Sequence, residues 1–535
     1  MDPTLTKQEF ARQFDVNIHR QQADQGMNGL LPVAPSTEYT RRVWWQNLLD
    51  TYAENNEQAL GSIMGDLQFL LSNSSYWLFF FNKDAFFQTL RDPQERLTIQ
   101  PALVMAAIAL ATLMKSSQIE LGRDGRDRAL FWRNNAQAAL EIACGVPQEL
   151  DYTLAEAALI LALFESSAHP EHSTERANSA LQLMDRIIVT LSLQLGDIAD
   201  PDATNFAERS VPSVIIDHYT TPKRCCCFNV PLGAHEFSFA YNAPWDPDWT
   251  PEERRKEECR RICWSALTLI ANHTALCAAF HLEPLELELA EPAKYALLFP
   301  GEAYERSAPH QIPGQSPKES IWALYCRSML LWNSCMRQRD TTWTSNERAK
   351  FAIEAWAETQ AVQDALDMHQ CNSDTALMYV CREYLYNTRM TITYEFRSRL
   401  ADQDGAGAPQ LFNRRQAKEW LYYQGQVAKR VKNSVMHLGE TPGHLLSRRP
   451  FQVSWFSSQV AICLALWTYD RGLMDALDLA KTFLIPLDAL CILWPCEGQR
   501  ARRDELRQQL EAACAAAGIQ PPLHAEVSLP PILRV

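Results

Sequence analysis

The chain has 535 residues and a formal net charge of −14, with 47% hydrophobic and 10% aromatic residues. The acidic balance argues against a broad phosphate-binding surface, because nucleic-acid affinity depends largely on Lys and Arg that replace counterions. Charged residues make up only 21% of the chain, which argues against extensive disorder. The length allows two or three ordinary domains or one large helical domain.

The chain carries no clear targeting segment. Its first twenty residues are polar and lack the apolar core of a secretory signal. The longest nearly unbroken apolar run, 101–114, has about 14 residues, whereas a membrane-spanning helix needs about 20. We therefore expect an intracellular protein outside the membrane. Most of the 15 cysteines lie in apolar helical patterns, which indicates reduced core thiols.

Two apolar segments in the first third of the chain predict buried helices. The segment "PALVMAAIALATLMKSS" (101–117) has Pro101 in a first helical turn, followed by strong helix formers. In "DYTLAEAALILALFESS" (151–167), Thr153 and Glu156 have the spacing of a capping box before an apolar run. We expect the second helix to begin directly after Thr153.

The stretch 250–280 repeats the same helix-start signals. Thr250 occupies the N-cap position, Pro251 the first helical position, and Glu253 closes a capping box. A stripe at helical spacing follows, formed by Trp264, Leu267, Thr268, Ala271, Ala275 and Ala278. We expect Arg260 and Arg261, near the start of this helix, to form ion pairs with acidic neighbours or helix ends.

The complete pattern predicts an all-α protein, a large multi-helix domain with long irregular connections. Later helices are predicted at 320–337, 345–368, 414–438 and 451–480. Breaker-rich stretches lie at 197–247, 300–317 and 402–409. The predicted division of the chain is 1–39 as a polar segment, 40–300 as a first helical domain, 301–318 as a linker, 319–485 as a continuation of the helical domain, and 486–535 as a C-terminal helix with an extended tail.

Signatures of common cofactor and hydrolase sites are missing from the sequence. It contains no GxGxxG, GxxxxGK or GxSxG motif, and Phe239 stands where a zincin would place its second His after His235. The best candidate for a metal site is the loop-like stretch 218–235, with His218, Cys225, Cys227 and His235. It has no CxxC pair, and neighbouring cysteines point in different directions, so the sequence favours a buried, unreactive cysteine cluster there.

Three blocks carry a family resemblance, in the order "PALVMAAIALATLM", "LAEAALILALFESSAHPEHSTERANSALQLMDRIIVTLSL" (154–193) and "EECRRICWSAL" (257–267). Together they resemble the middle homology region of fungal-specific transcription factors, the regulatory domain that accompanies a binuclear zinc-cluster DNA-binding domain. Arg260, Arg261 and Trp264 match the family's adjacent arginines and aromatic pair, with Cys263 in place of the first aromatic residue. The likeness covers 40–290 best and assigns the predicted domain 40–300 to this region.

The sequence departs from the family pattern in the zinc-cluster DNA-binding segment, called the head below. The first cysteine is Cys144, so the six-cysteine zinc cluster is absent from this sequence, and the family's later Asp-Arg and Gly-Arg-Pro motifs are missing too. No DNA-binding residue of the family can therefore be carried over. Any zinc would belong to that missing head, and no cofactor is expected in this chain. DNA contact is expected only through a missing zinc cluster or through a partner.

The resemblance implies a non-enzymatic transcription regulator of RNA polymerase II genes, located in the nucleus. Its helical domain would sense a small-molecule effector or contact other transcription proteins and co-regulators, and a homodimer is consistent with the family. One alternative is a co-regulator or scaffold that does not bind DNA. A less favoured alternative is a helical enzyme, whose candidate acids Glu156, Glu165 and Asp185 we interpret as caps and solvated helix faces.

Overall fold

The computed structural model describes residues 35–146, 150–216, 243–311, 316–337, 343–369, 376–401, 408–440 and 444–534. These ranges contain seventeen α-helices and almost no strand, which confirms the predicted all-α fold. In chain order the helices are α1 (Pro35–Tyr52), α2 (Asn56–Asn73), α3 (Lys83–Arg91), α4 (Pro101–Met114), α5 (Gly122–Cys144), α6 (Tyr152–Glu165), α7 (Thr174–Thr190), α8 (Pro251–Ala279), α9 (Glu302–Glu305), α10 (Ile321–Arg337), α11 (Ser345–Met368), α12 (Ala376–Ala401), α13 (Ala408–Met436), α14 (Gln452–Tyr469), α15 (Met474–Leu493), α16 (Glu497–Ala517) and α17 (Ala525–Ser528).

The strands of the described chain form one short antiparallel ladder. It joins β1 (Thr204–Asn205) to β2 (Ala296–Leu297), with Thr204 opposite Leu297. The ladder ties the irregular segment after α7 to the segment that follows α8.

Two large clusters of buried side chains form the interior. The first surrounds α4 and α6, which are buried over nearly their whole length. Helices that are apolar all round have no face for water, so the other helices enclose them. The second cluster is formed mainly by α13 to α16 and contains Trp420, Phe456, Phe483 and Trp494. Helix α8 lies mostly in the first cluster and reaches the second near its C-terminal end.

Helix α8 begins as its sequence predicts. The Thr250 side chain accepts a hydrogen bond from the Glu253 backbone N–H, and the Glu253 carboxylate accepts one from the Thr250 backbone. The first four residues of the predicted stripe, Trp264 to Ala271, are buried, whereas Ala275 and Ala278 are half-buried. Among the described helices, α8 alone is long and apolar enough to cross a membrane, but 72% of its apolar window is buried inside the protein, as in a core helix.

Two helix predictions are wrong in detail. The N-cap of α6 is Asp151, whose carboxylate accepts the Thr153 N–H at 2.9 Å, so the helix begins two residues before the predicted start. The single helix predicted at 451–480 is two helices, α14 and α15, because the chain turns between Asp470 and Leu473. Helix α12 was not predicted at all. The helices predicted at 320–337 and 345–368 are confirmed as α10 and α11.

Candidate functional site

Arg260 connects α8 to a distant loop through a buried ion pair. Its Nε and Nη2 atoms each donate a hydrogen bond of 2.7 Å to the carboxylate of Asp197, and Nη1 donates to Glu257 at 3.1 Å. Burial alone would lower the pKa of Arg260. The hydrogen bonds to Asp197 and the charges of both carboxylates outweigh that effect and raise it. The predicted ion pairing of Arg260 is therefore confirmed.

Arg261 is fully buried one position further along the helix. It donates to Glu257 at 2.8 Å and to the backbone carbonyls of Ala243 and Pro244 at 2.9 and 2.6 Å. Its guanidinium lies 3.9 Å from the centre of the Trp245 ring. Burial lowers the pKa of Arg261, and the carboxylate of Glu257 opposes that shift. Arg261 thus holds the segment before α8 against the helix.

Trp264 completes the motif as a fully buried anchor. Its indole Nε1 donates to the Leu298 carbonyl at 3.0 Å, and its ring stacks on Tyr295 at a centroid distance of 5.2 Å. Phe299 lies at 5.3 Å. The structure therefore brings Arg260, Arg261 and Trp264 together on one half of α8, where they fix three surrounding loop segments. We assign these residues a role in the architecture.

The other predicted site residues do not form a catalytic centre in the described chain. The metal candidates His218, Cys225, Cys227 and His235 lie outside the described residues. Within the described ranges, no group of three or more His, Cys, Asp or Glu side chains could hold a metal ion. The described cysteines are all free thiols, and all except Cys259 are buried.

The three acids considered for an enzyme are buried, which corrects the prediction of solvated faces. Burial and the neighbouring carboxyl of Glu258 raise the pKa of Glu156. Glu165 pairs with Arg133 at 3.2 Å, and Asp185 accepts the backbone N–H of Leu289 at 2.9 Å. Each acid has a different set of partners, so the three do not converge on one reacting centre.

A cavity of about 1490 Å³ lies between the two cores. Small-molecule sites usually enclose about 300–1,000 Å³, so the space is ample for a ligand. Its walls come from the C-terminal half of α8 and from α12, α13, α14 and α16. Apolar and aromatic side chains dominate the lining, among them Trp77, Tyr384, Tyr423, Phe451, Trp455 and Phe456.

A half-buried carboxyl group lies in the wall formed by α12. Glu383 accepts hydrogen bonds from the Trp455 Nε1 atom at 2.9 and 3.1 Å and from the Gln459 Nε2 atom at 2.8 Å. Burial raises the pKa of Glu383 to about 7, although these hydrogen bonds act to lower it. The group has neutral donors around it but no cation to balance its charge in the described chain.

An uncompensated cation lies in another wall of the same cavity. The Nε atom of Arg449 is buried and has no hydrogen-bond partner among the described residues. Burial lowers the pKa of Arg449. Burial raises the pKa of Tyr76, which lies near both groups; the charge of Arg449 opposes this shift and that of Glu383 adds to it. Arg449 and Glu383 form no ion pair with each other or with any other described residue.

Four more residues that line this cavity have a buried polar atom without a hydrogen-bond partner in the described part of the chain. The atoms are Trp332 Nε1, Gln452 Oε1, Gln459 Oε1 and Gln499 Oε1. Unsatisfied buried polar atoms are rare in folded proteins, so each calls for a ligand or a water molecule. Together with Glu383 and Arg449, these atoms give an apolar cavity a small set of polar contacts, which is the usual composition of a ligand site.

Sequence reasoning missed this cavity, although one local signal was present. Glu383 follows Tyr379 and Val380 at helical spacing and precedes Tyr384 and Asn387 on the same face of α12. A single charged residue on a helix face that is otherwise uncharged and mostly aromatic or apolar indicates a partly buried carboxylate with a polar partner.

Neither protein-family models nor curated proteins give a match to this chain.

Proposed function

We propose that this chain is the regulatory, effector-sensing part of a fungal transcription regulator of the zinc-cluster type, and that the cavity between its two cores binds the effector. The observation that carries the proposal is the cavity itself, an apolar space with two uncompensated charges and several unsatisfied polar atoms. A regulatory role also requires that ligand binding changes the arrangement of the surrounding helices, whereas a transport or storage role does not.

The position of the cavity between the two cores connects ligand binding to the arrangement of the helices. Trp77, Leu269 and Tyr384 in its walls belong to the first core, whereas Phe456 and Leu464 belong to the second. A ligand that contacts both sets favours one relative placement of the cores over others, because a ligand shifts a conformational equilibrium only through unequal affinity for its states. Partner-binding surfaces on the two cores would respond to that shift.

The proposal includes an indirect route to DNA and action in the nucleus. A chain with a net charge of −14 is poorly suited to bind phosphates by itself. We therefore assign DNA contact to a zinc-cluster head or to a partner, and we assign contacts with other transcription proteins to this chain. Arg260, Arg261 and Trp264 support the arrangement by holding α8, one wall of the cavity, in place.

The proposal is tested by joining the full chain to an unrelated DNA-binding domain in a fungal reporter strain. The expected result is a reporter output that differs from that of the DNA-binding domain alone and that changes with nutrient supply. Val380→Trp, which adds an indole to the cavity wall beside Glu383, should remove the response to nutrients. Ile353→Trp, at a position 60% exposed on α11, is the matched control and should retain it.

Two results would contradict the proposal. One is a reporter output equal to that of the DNA-binding domain alone in every medium. The other is an unchanged nutrient response in Val380→Trp when its thermal unfolding shows a folded protein. Either result would leave a helical domain without a regulatory role in transcription.

A further inference from the structure

The two charged groups of the cavity define a more specific ligand. We propose that the cavity binds a small amphipathic zwitterion, a molecule with a free carboxylate and a free ammonium group on an apolar body. This inference rests on the proposed function only in taking the same cavity as the effector site. Glu383 and Arg449 line one cavity and do not pair with each other.

Arg449 is suited to the carboxylate of such a ligand. A guanidinium group binds carboxylates through two parallel N–H donors, and Nε is one of the atoms used in that geometry. In this protein, Nε of Arg449 is buried and has no hydrogen-bond partner among the described residues. Several other arginines also leave this atom without a described partner, whereas in Arg260 and Arg414 it donates to an aspartate at 2.7 and 2.6 Å. What sets Arg449 apart is that it lines the cavity and forms no ion pair with a described residue.

Glu383 is suited to the ammonium group. Its Oε1 atom accepts hydrogen bonds from Trp455 and Gln459, and its Oε2 atom accepts one from Trp455. These bonds fix the carboxylate and leave Oε2 able to accept another hydrogen bond. The rings of Tyr384, Tyr423 and Trp455 line the same region, and aromatic faces attract cations. A carboxylate surrounded by aromatic rings therefore offers an ammonium group both a hydrogen-bond acceptor and a favourable electrostatic environment.

Ligands with a single charge fit the cavity less well. A carboxylic acid without an amine compensates Arg449 but forms no ion pair with Glu383, and an amine without a carboxylate leaves Arg449 uncompensated. A buried ionised group without a partner is costly. The rest of the lining, including Leu269, Val380 and Ile462, contacts the apolar body of the ligand.

The test is isothermal titration calorimetry on the purified full chain with three probes of one shape. L-phenylalanine carries both charges, 3-phenylpropanoate lacks the ammonium group, and 2-phenylethylamine lacks the carboxylate. We expect L-phenylalanine to bind at least about tenfold more tightly than either of the other probes, since each charge-assisted contact contributes about tenfold or more.

Two cavity variants show which residue binds which charged group of the ligand. Arg449→Gln should weaken L-phenylalanine and 3-phenylpropanoate about tenfold and leave 2-phenylethylamine within about twofold. Glu383→Gln should weaken L-phenylalanine and 2-phenylethylamine and leave 3-phenylpropanoate unchanged. Arg471→Gln and Glu354→Gln change the same residue types at exposed positions outside the cavity lining and should not alter any of the affinities.

The inference is overturned if L-phenylalanine binds no more tightly than the singly charged probes, or if neither cavity variant changes the order of affinities. Such a result, together with a reporter response that Val380→Trp removes, would leave the regulatory function intact and refute only the ligand class. The converse result, charge-dependent binding of L-phenylalanine without any reporter response, would support the ligand class and contradict the regulatory function.

Discussion

Arg260 and Asp197 are 63 residues apart in the sequence, yet two parallel hydrogen bonds of 2.7 Å join them in the interior. The Asp197 carboxylate also accepts the Leu298 N–H at 2.9 Å. One side chain thus fixes α8, the loop after α7 and the strand segment after α8 relative to each other. The basic pair that carries the family resemblance has an architectural role in this structure.

Removal of Asp197 should destabilise the protein strongly. We expect Asp197→Ala to lower the free energy of unfolding by about 3–5 kcal/mol, because it leaves Arg260 buried with a weaker partner. The matched control is Asp470→Ala, which removes the same bidentate geometry from the more exposed Arg414 and should cost about 1 kcal/mol. Urea unfolding followed by circular dichroism measures both. Equal losses in the two variants would contradict the importance given to burial.

Replacement of Trp264 should show how much its indole hydrogen bond contributes to the stability of the protein. Trp264→Phe keeps an aromatic ring against Tyr295 but leaves the Leu298 carbonyl without its donor, so we expect a loss of about 1–3 kcal/mol. Trp264→Ala should cost about 3–5 kcal/mol because it also opens a cavity. Differential scanning calorimetry distinguishes the two variants. A Phe variant as stable as the wild type would show that the hydrogen bond contributes nothing.

The raised pKa of Glu383 should make stability depend on pH. The folded protein holds this proton up to about pH 7, whereas the ordinary pKa of a glutamate side chain is 4.5. Glu383 therefore makes its full contribution to the free energy of unfolding below about pH 4.5, where it is protonated in both states, and this contribution is lost as pH rises towards 7. Relative to the wild type, Glu383→Gln should gain on the order of 1–3 kcal/mol between pH 5 and pH 8.

Urea unfolding at several pH values measures that difference. Glu258 and Glu302, whose pKa values burial also raises to about 7, contribute equally to both proteins and cancel in the comparison. Glu354→Gln, on the exposed surface of α11, should follow the wild-type curve. A constant difference between Glu383→Gln and wild type across this range would show that Glu383 titrates normally.

The buried cysteines should be inert in the folded protein. Burial raises the pKa of the Cys263, Cys326 and Cys381 thiols, so little thiolate is present at neutral pH. We expect peptides that contain them to remain unmodified after native treatment with iodoacetamide and to be fully modified after unfolding in urea. Mass spectrometry of the digested protein measures this. Native modification at the rate of a free cysteine would show that the first core opens readily.

Local sequence signals predicted much of the fold. The cap at Thr250 is confirmed because a capping box is formed by residues three positions apart, and the structure shows a second capping box at Thr344 that was not predicted. The break between α14 and α15 could not be predicted in this way. It involves Asp470, which accepts the Gly472 N–H and pairs with Arg414 from α13, a contact that sequence spacing does not reveal.

The cavity could not be predicted from the sequence. Glu383 accepts a hydrogen bond from Trp455, which lies 72 residues later, and Arg449 is in a basic pair that gives no local sign of a cavity. Only the packing of the two cores brings these charges to one space. Arg260, Arg261 and Trp264 are the residues that carry the resemblance to a regulatory domain. They support the wall of the cavity but do not line it.

The central claim, that the cavity between the cores is a ligand site, is tested most directly by calorimetric titration of L-phenylalanine into three proteins. The wild type and the surface control Ile353→Trp should bind with the same affinity, and Val380→Trp, with its cavity partly filled, should show no measurable heat of binding while remaining folded. Equal binding by all three proteins would place the ligand elsewhere and contradict the account.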